Sequence, residues 1–123
     1  MVLVDTSVWV RALAGKQPYR SRLDDLLAQN TVLGHEFVYG ELLIGDIGAR
    51  TKVLINYALF RQAPTAGHAD VVQLIRGRGL HGRGIGWIDA HLLASSMMSR
   101  AELYTTDGAL QELAQELGVA YER

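Results

Sequence analysis

Four carboxylic acids, Asp5, Glu41, Asp89 and Asp107, are the side chains of this sequence best suited to chemistry. The chain has no cysteine, and none of its four histidines stands at metal-ligand spacing from another. His91 follows Asp89 by two residues, about 200° around a helix, so that pair does not share a site. What remains is a set of hard oxygen donors, which suits magnesium or manganese rather than zinc. Carboxylates gathered in one pocket repel one another and rise in pKa unless a cation sits among them. A divalent ion held this way binds phosphate oxygens and activates water for in-line displacement. The chemistry these residue types point to is metal-assisted phosphoryl transfer.

Taken singly, three of the acids have an ordinary structural explanation. Aspartate before a helix is a favoured N-cap, worth about 1 kcal/mol, and Asp5 and Asp107 both precede helical patterns. Asp89 lies in the first turn of a helix, where negative charge answers the helix dipole. Glu41 resists such an account. Stepping about 100° per residue from Phe37 puts Ile44 at about 340°, Glu41 at about 40°, Val38 at about 100° and Leu42 at about 140°. The carboxylate thus falls inside the apolar arc, and no lysine or arginine stands three or four residues away. Facing an ionised group to a core is costly unless a partner offsets it. An inward acid without a local cation points to a metal or a cleft, with a distant arginine as the remaining option.

The elements that position these acids alternate between strand and helix. Val2-Leu3-Val4 reads as a strand, and Asp5-Thr6-Ser7 starts a helix that carries Val8, Trp9, Val10 and Leu13 and closes at Gly15. Pro18 suits the first turn of a second helix with Leu23, Leu26 and Leu27 as its apolar stripe. A strand at Thr31-Val32-Leu33 precedes helices over 35–45 and 50–60, the latter facing inward with Val53, Leu54, Tyr57 and Ala58. Residues 60–63 form a short third strand stopped by Pro64, and a helix over 66–76 presents Val71, Val72 and Ile75. The glycine- and arginine-rich stretch 77–86 reads as a flexible loop. A helix over 87–99, a strand at 102–105, a helix over 108–117 and a terminal strand at 119–121 complete the chain. This alternation predicts one α/β domain, residues 1–123, with a parallel sheet covered by helices on both faces. Ligands bind such sheets outside the carboxyl ends of the strands. Asp5 and Asp107 both follow strands and so fall on that rim.

Four segments together resemble the PIN-domain nucleases, and within them the VapC-type toxins of toxin–antitoxin pairs. They are Val2-Leu-Val-Asp-Thr-Ser-Val-Trp9, Gly40-Glu-Leu-Leu-Ile-Gly45, Gly86-Trp-Ile-Asp-Ala-His-Leu-Leu-Ala94 and Leu103-Tyr-Thr-Thr-Asp107. Their order and spacing span nearly the whole chain. The resemblance implies a three-layer α/β/α sandwich with a mostly parallel sheet in the order 3-2-1-4-5 and an acidic pocket at its C-terminal edge. It implies a magnesium- or manganese-dependent endoribonuclease that leaves 5′-phosphate and 3′-hydroxyl ends, neutralised by a cognate VapB-type antitoxin. It places metal ligation and catalysis on Asp5, Glu41, Asp89 and Asp107. Asp5 and Asp89 are the direct ligands on this view; Glu41 and Asp107 bind through water or orient the nucleophile, roles the sequence does not separate. Ser7 and Thr105 fall where the family often places a hydroxyl near the metal or the scissile phosphate. Their ordinary alternatives are a helix cap for Ser7 and strand filling for Thr105. A homodimer is expected through apolar helix faces around residues 35–60.

The formal charge of −1 offers no global basic field, so RNA phosphates must be met by local arginines. Arg78 and Arg83 are the candidates, on a flap over the acids, with a solvated loop as the alternative. Arg11, Lys16, Arg20 and Arg22 form a second basic group that reads as an exposed helix face. Gly77, Gly79 and Gly82 match a dinucleotide fingerprint in spacing but follow a helix instead of a strand. Trp9 and Trp87 read as packing anchors rather than stacking platforms. A dehalogenase-type phosphatase wants a second aspartate where Ser7 stands, and a receiver domain wants a late lysine, whereas no lysine follows Lys52. No apolar run approaches the roughly 20 residues of a membrane span, and the N-terminus lacks the basic start of a signal peptide. The expectation is a soluble cytoplasmic protein.

Overall fold

Strand β1 (Val2–Val4) lies at the centre of the sheet with all three side chains buried. Successive residues of a strand point to opposite faces, so burial of all three means that both faces are covered. The computed structural model describes residues 1–122. On one side β1 pairs in parallel with β2 (Val32–Leu33), Val2 level with Val32 and Leu3 with Leu33. On the other it pairs in parallel with β3 (Glu102–Tyr104), Val4 level with Tyr104. Single parallel bridges extend the sheet at each edge, Gly34 with Gln62 and Leu103 with Ala120. The expected order 3-2-1-4-5 is present, but its outer strands shrink to one bridge each. At the first edge Pro64 has no N–H to continue a ladder. There the Gln62 amide turns back to donate to the carbonyls of Tyr57 and Phe60. Gly34 makes room for it, since a Cβ at that position would collide with the Gln62 side chain.

Seven helices are described: α1 (Thr6–Leu13), α2 (Tyr19–Ala28), α3 (Glu36–Ile44), α4 (Thr51–Ala58), α5 (His68–Arg78), α6 (Trp87–Ser99) and α7 (Gly108–Glu116). Gly15, at φ 76°, takes the left-handed conformation that ends α1. Gly79, at φ 65°, does the same for α5, two residues later than expected. Arg78 is therefore helical, and the connecting loop begins at Gly79. The core joins β1 and β3 to Val8, Trp9, Leu23, Leu26, Val38, Leu42, Tyr57, Leu92, Leu93, Leu110 and Leu113. Of the residues predicted to face inward, Leu27 and Ala58 are exposed, and Val72 is only half-buried beside fully buried Val71. None of the described helices is long and apolar enough to cross a membrane.

Helix α3 corrects the expected apolar arc. Val38 and Leu42 are fully buried, whereas Ile44 is 89% exposed. The core stripe is therefore narrower than the sequence pattern suggested. Phe37, Glu41 and Ile44, spaced to share a face, line an open groove with Trp87 and Ile88 of α6. The groove, and not the core, receives the glutamate.

A buried polar knot fixes where α3 begins. His35, fully buried, caps the helix by accepting from the Phe37 N–H on Nδ1 at 3.0 Å. Its proton must then sit on Nε2, which meets Ser95 Oγ of α6 at 2.9 Å. Ser95 donates onward to the Pro64 carbonyl at 2.8 Å, and the His35 N–H donates to the Tyr57 hydroxyl at 2.8 Å. Burial holds the His35 imidazole below its ordinary pKa, so it serves here as a neutral group.

Candidate active site

β1 and β3 are neighbours in the sheet, yet the chain leaves them in opposite directions, from β1 toward β2 and from β3 toward Ala120. Their carboxyl ends form the switch point at which open α/β sheets bind ligands. The Asp5 N–H donates to the Tyr104 carbonyl at 2.8 Å, which brings Thr105 level with Asp5. Thr105 Oγ1 then donates to Asp5 Oδ2 at 2.8 Å, and Ser7 Oγ donates to the same oxygen at 2.7 Å. Behind them, Ser7 Oγ accepts from the Thr106 N–H and Thr105 Oγ1 from the Asp107 N–H, both at 3.1 Å. Each hydroxyl has one proton and gives it to Asp5. The 3.4 Å approach of the two hydroxyl oxygens is therefore a packing contact rather than a third bond. Ser7 and Thr105, expected from the resemblance near the metal or the scissile phosphate, set the orientation of Asp5, which is 7% exposed.

Asp107 is a working N-cap of α7, its Oδ1 accepting from the Leu110 N–H at 3.0 Å. Asp89 Oδ2 accepts from the Gly86 N–H at 3.1 Å and stabilises the start of α6. Asp5 stands at the N-cap position of α1 but caps nothing with its side chain. Glu41, half-buried, accepts at Oε1 from Thr6 Oγ1 at 2.7 Å. Its partner is a hydroxyl 35 residues away, and not the distant arginine that the sequence left open.

One pattern runs through all four. A single oxygen of each carboxylate is anchored: Asp5 Oδ2, Glu41 Oε1, Asp89 Oδ2 and Asp107 Oδ1. The second oxygen of each accepts no hydrogen bond from the described residues. Anchored, half-satisfied carboxylates are what a hard cation needs from its site. The acids also sense one another. Burial raises the pKa of Asp89, the Gly86 N–H partly opposes this, and the charges of Asp5, Asp107 and Glu41 raise it further. A dication would reverse that mutual penalty, so the donor set fits magnesium or manganese. The grouping is one of Coulombic reach and is looser than a coordination sphere. Among the described residues, no three His, Asp or Glu side chains are gathered closely enough to hold one ion as they stand.

The arginines take other places. Arg83 is bound to Glu116 at 2.7 and 3.2 Å and lies 3.6 Å from Glu112, which ties its loop to α7. Arg78 is exposed at the end of α5. Sequence reasoning missed Thr6, whose one signal is its position between Asp5 and Ser7 at the strand-to-helix turn. It also missed the aromatic groove beside Glu41, because Trp87 was read as a packing anchor and is 43% exposed.

Comparison with known proteins agrees with this geometry. The PIN domain family model matches residues 2–116. Over 121 residues the chain is 40% identical to Ribonuclease VapC32 of Mycobacterium tuberculosis, in both strain CDC 1551 / Oshkosh and strain ATCC 25618 / H37Rv, covering 98% of this chain and 95% of each relative. In fold it is similar to the crystal structure of PAE2754 from Pyrobaculum aerophilum, with a TM-score of 0.58 and 16% identity over 95% of this chain and 94% of that one. A likeness at that identity speaks to the fold alone. The near full-length match, taken with acids delivered to the switch point by four matching segments, establishes that this chain belongs to the PIN-domain family, in its VapC-type branch.

Proposed function

We propose that the chain is an endoribonuclease, the toxin of a toxin–antitoxin pair, which hydrolyses RNA phosphodiester bonds with magnesium or manganese held by Asp5, Glu41, Asp89 and Asp107. The observation that carries this reading is Asp5, buried at the switch point and oriented by Ser7 and Thr105 while capping nothing. A bound divalent cation supplies Lewis acidity toward a phosphate oxygen and makes water a better nucleophile. The chain's part is to hold the carboxylates still, through Ser7, Thr105, Thr6, Gly86 and Leu110. Water oxygen bonds to phosphorus as the 3′-oxygen leaves and is protonated, giving 5′-phosphate and 3′-hydroxyl ends. In the test, purified protein is incubated with RNA across a series of divalent ions and in chelator. Cleavage should require magnesium or manganese and vanish in Asp5→Asn. Equal cleavage in chelator, or by that variant, would overturn the assignment.

The same reading includes two protein partners. A VapB-type antitoxin would present a basic side chain to the acids, in competition with the cation. Supporting a homodimer are exposed apolar residues on and around α3 and α4, Ile44, Ile47, Ile55 and Leu59 among them. Inhibition by the co-expressed partner and light scattering of the isolated chain test these two statements.

A further inference from the structure

The groove beside Glu41 has a volume of about 550 Å³ and is lined by Glu36, Phe37, Gly40, Glu41, Ile44, Trp87 and Ile88. It shares Glu41 with the acid site. An RNA whose phosphate reaches the acids therefore has this opening within reach of a neighbouring base. Trp87 is 43% exposed, yet it is held in place: its ring meets His91 edge-on at 5.0 Å and His68 at 5.1 Å. Phe37 meets the same His91 edge-on at 4.8 Å, so one buried imidazole steadies an aromatic residue from each of the two helices. An immobilised indole with open surface is a platform on which any base can stack. The lining contains two carboxylates and no lysine or arginine, which disfavours a phosphate and favours N–H donors. Glu36 is anchored through Oε1 by the Thr65 hydroxyl at 2.7 Å and stands at the groove ready to accept from a base edge.

We propose that this groove is a base-binding subsite, in which Trp87 stacks a nucleobase of the bound RNA and Glu36 accepts N–H groups from it. Guanine, with adjacent N1–H and N2–H donors, matches a carboxylate acceptor best. The proposal rests on the nuclease reading above, but its test separates the two. Trp9 and Trp87 are the chain's two tryptophans, and the indole N–H of buried Trp9 has no partner among the described residues, so Trp9→Phe leaves Trp87 as the sole indole, excited selectively over the tyrosines. In that background, with chelator present, short single-stranded oligoribonucleotides differing only in one base are titrated by fluorescence. Indole emission should be quenched saturably, most tightly by the guanine-containing strand, and Glu36→Gln should narrow that preference. In cleavage assays Trp87→Ala should raise KM about tenfold with little change in kcat. Trp87→Tyr and Trp87→Phe should restore most of the loss. Quenching by RNA that wild type never cleaves would retain the subsite and overturn the nuclease reading. Cleavage without quenching, and with KM unchanged in Trp87→Ala, would overturn the subsite alone. So would a Trp87→Ala variant that loses only its inhibition by a protein partner, since the groove would then belong to that partner.

Discussion

Thr6 gives its hydroxyl proton to Glu41 across 35 residues of sequence, at 2.7 Å, and so joins the first turn of α1 to the second turn of α3. A hydrogen bond to a charged acceptor contributes about 1.5–3 kcal/mol. Thr6→Val keeps the side-chain volume and removes the donor. It should lower cleavage about tenfold or more, within the range seen when a group orienting a ligand is lost. Thr6→Ser should restore most of that rate. Unchanged kcat/KM in the valine variant would mean that Glu41 is positioned by something else.

The Asp5 network makes a graded prediction. Ser7→Ala and Thr105→Val each remove one of the two donors to Oδ2. Each should reduce cleavage by about 10–100-fold at low divalent ion and be partly rescued at high concentration, because orientation and affinity suffer while the ligand survives. Asp5→Asn should not be rescued. Metal titrations of the three variants side by side read the difference, and rescue of Asp5→Asn would remove that residue from the ligand set.

Asp89 links stability to function with a definite sign. Its pKa is raised in the folded state, first by burial and then by the charges of Asp5, Asp107 and Glu41. Ionising it therefore costs folding free energy. The cost begins as pH climbs past the ordinary aspartate value of 3.8 and is complete above the folded pKa. Asp89→Asn keeps an oxygen for the Gly86 N–H and discards the charge. It should melt higher than wild type at pH 7 in chelator, with the gap closing toward pH 4, and should lose cleavage. Added divalent ion should raise the wild-type melting temperature, by about 2.7 kcal/mol of stability at a hundredfold excess over Kd. The variant should gain less. A variant that melts lower than wild type at pH 7 would contradict the assigned electrostatics.

How much of this could be read from the sequence depended on how local the cause was. The Val2–Val4 strand, the Gly15 stop and the Asp107 cap are decided by neighbouring residues, and each appears where the pattern puts it. The sheet order came from family resemblance, since which strands pair is a long-range matter. Glu41 was singled out for the right oddity, an acid among apolar residues, and of the surroundings left open the cleft is the one observed, although only part of the apolar arc is core. Hydrophobic periodicity does not distinguish a core from a groove, and Ile44 and Phe37 line a groove. Ser7, Thr105 and Thr6 were harder still. A hydroxyl reveals its role only through its partner, and these partners are fixed by the β1–β3 register and by the approach of α3. The partners of Arg83 were illegible for the same reason, because Glu112 and Glu116 lie on the distant α7.

His35 supplies a prediction on the acid side. The imidazole accepts the Phe37 N–H on Nδ1, and protonation there would remove the cap of α3. Burial lowers its pKa, Glu36 pulls the other way and His91 adds to the lowering. In the unfolded chain the same group protonates near its ordinary 6.5. The stability that depends on neutral His35 is thus full above 6.5 and is lost as pH falls from there toward the folded value. His91 is also lowered, mainly by burial, and adds to the same limb. His35→Asn substitutes a good N-cap that does not titrate. It should be less stable at pH 7.5, having lost the link to Ser95, yet its melting temperature should fall less between pH 7.5 and 5. The remaining slope combines the loss from His91 with the opposing gain as Asp89 takes up its proton. Parallel melting curves for the two proteins across that range would show that His35 binds its proton equally well folded and unfolded, and that the cap of α3 does not depend on pH.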